Sequence, residues 1–99
     1  MDTLNRDDFA PQLNTVFQFY LDPEAPTGLE LIEVSEVKRR SQGESFSLVF
    51  QGPAEPVYDQ RLFRVEHPVL GSGELFLVPV GRVREGIHYE ALFNRSIES

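Results

Sequence analysis

The sequence predicts a mainly β fold: a small antiparallel six-stranded barrel-like meander with a short N-terminal helix, forming one domain over residues 1–99. Three observations carry that prediction. Turn residues divide the chain at regular, short intervals. The segments between them are rich in Phe, Val, Leu and Tyr. Most of those segments alternate apolar with polar side chains, as half-buried strands do.

Size and composition set the bounds. The 99 residues fit one domain, and a chain of this length buries about two-thirds of its surface on folding. No cysteine is present, so neither a disulfide framework nor a thiolate zinc site is available. Sixteen acidic residues against nine basic ones give a net charge of −7. That charge opposes binding to nucleic acid phosphates and to anionic lipid, and it favours solubility. The opening stretch Met1–Gln12 is acidic and lacks the apolar core of a signal peptide. No apolar run approaches the roughly 20 residues of a membrane helix. The expectation is a cytoplasmic protein with no membrane contact, and export within a larger assembly is compatible with the same composition.

The N-terminus reads as a helix over about residues 5–13. Asn5 caps it, Asp7 and Asp8 suit the positive end of its dipole, and Leu4 with Phe9 fits a hydrophobic staple. Pro11 limits its length. With Leu4, Phe9 and Leu13 on one side, such a turn would plug an open barrel end.

Six strands follow. In Thr15–Leu21, Phe17, Phe19 and Leu21 share one face. In Leu29–Val37 two registers compete, and a bulge near Glu33 would let both apolar pairs point inward. Phe46, Leu48 and Phe50 share a face in Glu44–Gln51. Phe63 and Val65 do so in Gln60–His67, and Tyr89, Ala91 and Phe93 in His88–Asn94. In Glu74–Val80 nearly everything is apolar. The predicted core is Phe9, Leu13, Phe17, Phe19, Leu31, Phe46, Leu48, Phe50, Phe63, Val65, Phe76, Val78, Tyr89, Ala91 and Phe93. The loop Gly52–Asp59, the longest and with two prolines, is the expected place for a crossing or an exposed lip.

Candidate chemistry is sparse. His67 and His88 each have a glutamate nearby, Glu66 and Glu90, but a metal site needs three or four converging ligands. Glu66 and His67 are adjacent on a strand and so face opposite ways. Gly71-Ser72-Gly73 is ordinary turn chemistry rather than a nucleophile elbow. Glu30, Glu33 and Glu36 cannot be told from solvated strand positions. Lys38-Arg39-Arg40 is the one basic cluster; it reads as an anion or acidic-partner contact, or as a solvated hairpin tip. Arg82 and Arg84 carry the same two readings. No catalytic residue, metal or cofactor is expected.

Leu75-Phe76-Leu77-Val78-Pro79-Val80 is the most informative stretch. Apolar residues on both faces require both to be covered, by the helix, by another sheet or by another chain. Pro79 cannot donate to a ladder and marks an edge position or a strand end. The candidate interface is Leu75, Leu77 and Pro79, with Pro53, Pro56 and Tyr58 of the long loop.

Three stretches together carry a family resemblance. They are Asp8-Phe9-Ala10-Pro11 with Phe17; Phe46-Ser47-Leu48-Val49-Phe50-Gln51-Gly52-Pro53; and Glu66-His67-Pro68-Val69-Leu70-Gly71 leading into Leu75–Gly81, with Tyr89-Glu90-Ala91-Leu92-Phe93-Asn94 after it. The chain resembles a small bacterial family of domains of unknown function. The resemblance implies a shared fold and an association with phage-tail-collar or tail-fibre-like proteins, and it brings no catalytic residues. The leading expectation is therefore a non-catalytic interaction or accessory protein, not an enzyme, that assembles with itself or with a tail-fibre-like partner. The alternative is a small-ligand-binding β-barrel in which Tyr20, Tyr58 and Tyr89 supply polar handles.

Overall fold

The alternating segments become strands in the computed structural model, which describes residues 1 and 3–96. Helix α1 is Arg6–Phe9 and runs directly into a tighter 3-10 turn, Ala10–Gln12. The strands are β1 (Val16–Asp22), β2 (Ala25–Val34), β3 (Lys38–Arg40), β4 (Gly43–Gly52), β5 (Arg61–His67), β6 (Gly71–Val83) and β7 (Gly86–Ser96). The sheet order is β2-β1-β5-β6-β7-β4-β3, and β2 also pairs with β4, which closes a six-stranded antiparallel barrel. Beyond the end of β2, β3 pairs with the first residues of β4. Closure removes the sheet edges that would otherwise be exposed.

The barrel consists of two three-stranded meanders, β1–β2–β4 and β5–β6–β7. They meet along β4–β7 and along β1–β5. Among the six barrel strands, the connection from β4 to β5 is the one that joins strands that are not neighbours, and it is the long loop read as a crossing.

Alternation decides what fills the interior. Phe17, Phe19, Leu29, Leu31, Leu48, Phe50, Phe63, Val65, Leu77 and Tyr89 are all fully buried, and a barrel of six short strands has room for little else. Phe50 meets Phe17 and Phe19 edge-on, with ring centroids 5.1 and 5.0 Å apart. In β2 the expected bulge forms: the register against β4 shifts between Leu31 and Glu33, leaving Ile32 as the extra residue. Leu29, Leu31 and Val34 thereby reach the core, whereas Ile32, the bulged residue itself, does not join it.

The helix plugs one barrel end. The Asn5 backbone N–H donates to the Asp8 carboxylate at 2.8 Å, which organises the first turn. Phe9 is completely buried, 6.3 Å from the Phe46 ring and 5.4 Å from the Phe93 ring. Leu4 packs against the same cluster. Leu13, expected in the core, is instead 41% exposed. Pro11 turns the helix into the 3-10 form, and the backbone is extended by Leu13, so its side chain leaves the apolar stripe.

A second correction concerns β6. Leu75 and Leu77 are buried, whereas Phe76 is half exposed and Val78 only partly covered. Both faces are apolar, so periodicity alone cannot choose between them. Pro79 lies beyond Leu77, the last residue of β6 paired with β5, so its missing N–H falls where β6 has only β7 as a neighbour. The β6–β7 register shifts just after it, between Pro79 and Gly81. At the turn into β7, Gly86 has φ +147 and an added Cβ would come within 1.9 Å of the Gly52 carbonyl oxygen, so only glycine fits.

Candidate interaction surface

The outward side of the second meander carries an apolar cross-strand row. Leu62 of β5 lies directly opposite Phe76 of β6. The β6–β7 register, which pairs Val78 with Glu90, brings Phe76 alongside Leu92 of β7. These three side chains are 53%, 50% and 60% exposed and line one shallow groove of about 300 Å³. Each is out of the core because its strand neighbours, Phe63, Leu75, Leu77, Ala91 and Phe93, point in.

Beside this row, where β7 ends, lies a larger open groove of about 640 Å³ at the β3–β4 hairpin. Lys38, Arg40, Ser45, Leu92 and Asn94 line it. Alternation along β3 separates its cations. Arg39 pairs with Glu44 at 3.6 Å, while Lys38 and Arg40 have no ion-pair partner among the described residues.

Of the six interface residues read from the sequence, Leu75 and Leu77 belong to the core, which moves the candidate surface to the opposite face of the same strand. Pro79 is half-buried. Pro53 and Pro56 are exposed on the crossing loop, away from the β5–β7 row in the ladder, and Tyr58 is half-buried there. The Tyr58 backbone N–H donates to the Tyr89 hydroxyl at 3.2 Å. Tyr20 is on the outside, where its hydroxyl donates to the Glu66 carboxylate. The three tyrosines therefore do not converge on one cavity. Leu62 and Leu92 escaped the sequence reading because each follows its strand's polar phase. Their shared feature is a cross-strand position, which a single strand cannot display.

His67 is buried, and its role is capping. Nδ1 accepts the backbone N–H groups of Val69 and Leu70 at 3.1 and 3.2 Å. That leaves the proton on Nε2, which donates to Thr15 Oγ1 at 3.0 Å, while the Thr15 hydroxyl donates to the Gln12 carbonyl at 2.7 Å. Burial pushes the His67 pKa down. Both ring nitrogens are thus occupied, and neither is free to activate Ser72. His88 points outward from β7, away from the inward-facing His67. Among the described residues, no three His, Asp or Glu side chains are grouped as a metal set would be. No helix there is long and apolar enough to cross a membrane.

A family model matches residues 4–93. The chain belongs to the DUF6916 family, a domain of unknown function. No curated protein and no solved structure matches it. The matched span runs from Leu4, just before the helix cap, into β7 as far as Phe93, so it includes all or most of every barrel strand and the whole exposed row.

Proposed function

We propose that this DUF6916 domain is a non-catalytic interaction module that docks a second polypeptide on the outer face of β5, β6 and β7. One observation carries the reading. Leu62, Phe76 and Leu92 form an apolar cross-strand row on a barrel whose core is complete without them. Charge points to the kind of occupant. Lys38 and Arg40 line the groove where the row ends at Leu92, on a chain whose net charge is −7, so that end of the surface complements a partner carrying carboxylates next to an apolar residue. A second copy of the chain would bring −7 against −7. Tail-fibre-like or tail-collar proteins are the partner class to try first, because the family resemblance implies them.

Affinity capture from the native host tests the reading, using wild type and Phe76→Asp in parallel. A stoichiometric protein held by wild type and lost with Phe76→Asp, at an unchanged melting temperature, is the expected result. Equal retention by Phe76→Asp and Leu62→Asp overturns it. Concentration-dependent dimers of the purified protein, abolished by Phe76→Asp, would overturn the choice of occupant in favour of a second copy.

A further inference from the structure

We infer that the open edge of β3 takes an acidic, extended segment of the partner by strand addition. The inference rests on the interaction-module reading and names the chemistry of what is bound. Two independent observations support it. The first is an unpaired backbone edge: β3 pairs with β4 on one side only and, unlike the six strands of the barrel, has no strand on the other among the described residues. All three of its residues are exposed. Such an edge offers N–H and C=O groups to an incoming strand.

The second is the charge on that edge. Lys38, Arg39 and Arg40 stand in succession on a chain with a strong excess of acid. Like charges directly opposite one another destabilise a ladder, so the edge rejects a copy of itself. A strand with carboxylates at alternate positions reverses the sign of that interaction. Its outward side chains would fall beside Lys38 and Arg40, which have no ion-pair partner among the described residues and which line the groove together with Arg95. Glu44 is the acidic group lining the groove, and Arg39 already engages it. Edge charge thus serves selection, repelling the wrong strand and recruiting the right one.

The test uses the whole chain and a fluorescein-labelled peptide of alternating glutamate and valine, read by anisotropy. Binding should weaken by at least about tenfold in the double variant Lys38→Glu, Arg40→Glu and fall steeply with salt. Both side chains are exposed, so the variant should keep the wild-type circular dichroism and melting temperature. Amide exchange at residues 38–40 should slow when the peptide is bound. A peptide with the same charges but N-methylated at alternate residues should bind far more weakly.

Several results overturn the inference: no binding of the acidic peptide, binding that survives the double reversal, or equal binding of the N-methylated peptide. Inorganic phosphate or polyuridylate competing as well as the peptide would make the edge a general anion site and overturn it too. The parent reading fails separately. If the captured partner is lost with Phe76→Asp but retained by the double reversal, the interaction module stands and strand addition at β3 falls.

Discussion

The barrel is closed twice, and the two closures are built differently. Along the first seam, β4 and β7 pair without interruption from Gly43↔Ser96 to Gly52↔Ile87. Its inner face is apolar: Phe46 stacks on Phe93 at 4.5 Å, and Leu48 and Phe50 face Ala91 and Tyr89. Along the second, the β1–β5 ladder consists of Gln18↔Glu66 and Phe19↔Val65. Side chains do the rest. Thr15 and His67 bond at one end, Tyr20 and Glu66 lie beside the ladder, and the Arg64 guanidinium sits 3.9 Å over the Tyr20 ring. Past the ladder, the Arg61 guanidinium donates to the Leu21 carbonyl at 3.3 Å. Backbone and apolar burial hold one seam, and titratable side chains span the other. The same closed topology can therefore have one closure made by a long ladder and apolar burial and one fastened by side-chain bonds that respond to pH.

Packing defects should produce the largest effects, and they should fall on the long seam. Phe93→Ala removes a ring that touches both Phe9 and Phe46, so a loss of about 3–5 kcal/mol is expected in urea unfolding. A loss under about 1 kcal/mol would mean the stacked cluster is not what holds that seam. Leu77→Asp places a carboxylate in the filled interior and should abolish folding, whereas Phe76→Asp, one residue away and half exposed, should leave the melting temperature nearly unchanged. Equal stability of the two variants would place the β6 register the other way round.

Native-state hydrogen exchange compares the seams directly. Amides of β4 and β7 should exchange only through global unfolding, and those of β1 and β5 facing the short seam through cheaper local opening. Uniform protection around the barrel would show that the side-chain seam is as strong as the ladder.

Much of the barrel was legible in the sequence, and what was not has a physical reason. Phe17, Phe19 and Leu21 declared the inner face of β1 because Gln18 and Tyr20 separate them. The β2 bulge could be read because its apolar pairs are one residue out of phase. Leu75 to Val78 contains no polar residue, so nothing in it marks the inner face, and the candidate interface fell on the wrong side of β6. The three residues of β3 were read as a hairpin tip because Lys-Arg-Arg has no strand signature; β4 imposes that conformation. Which strands meet at the seams is a long-range property, and the exposed row of Leu62, Phe76 and Leu92 depends on it.

The short seam should show its character in acid. His67 is held neutral, its pKa below the ordinary 6.5. Protonating Nδ1 would remove the acceptor for the Val69 and Leu70 amides. A depressed folded value means that the unfolded chain binds the proton more readily. The stabilisation is therefore complete above about pH 6.5 and is lost as pH falls through the folded value. His67→Phe keeps the ring but not its bonds, so it should cost about 1–3 kcal/mol at neutral pH and flatten this acid limb. An acid limb that is unchanged in His67→Phe would show that carboxylates, not this histidine, control the response.

The smallest effect belongs to Tyr20, and its readout is spectroscopic. The hydrogen bond to Glu66 is the main cause raising its pKa above 10.0; slight desolvation and the Glu66 charge act in the same direction, and Arg64 opposes them. Ultraviolet titration should find one tyrosine ionising later than in a model peptide, and Glu66→Gln should bring it down by removing the charged acceptor. Arg64→Gln should move it further up, because the cation that favours the phenolate is gone. The pair lies on the outer surface of the barrel, so none of these changes should shift the melting temperature at neutral pH measurably. A large thermal shift in Glu66→Gln would mean that this outer pair, and not the His67–Thr15 bond, fastens β1 to β5. If Glu66→Gln leaves the titration unmoved, the pair is not formed in solution, and the short seam is held by its two ladder positions and His67.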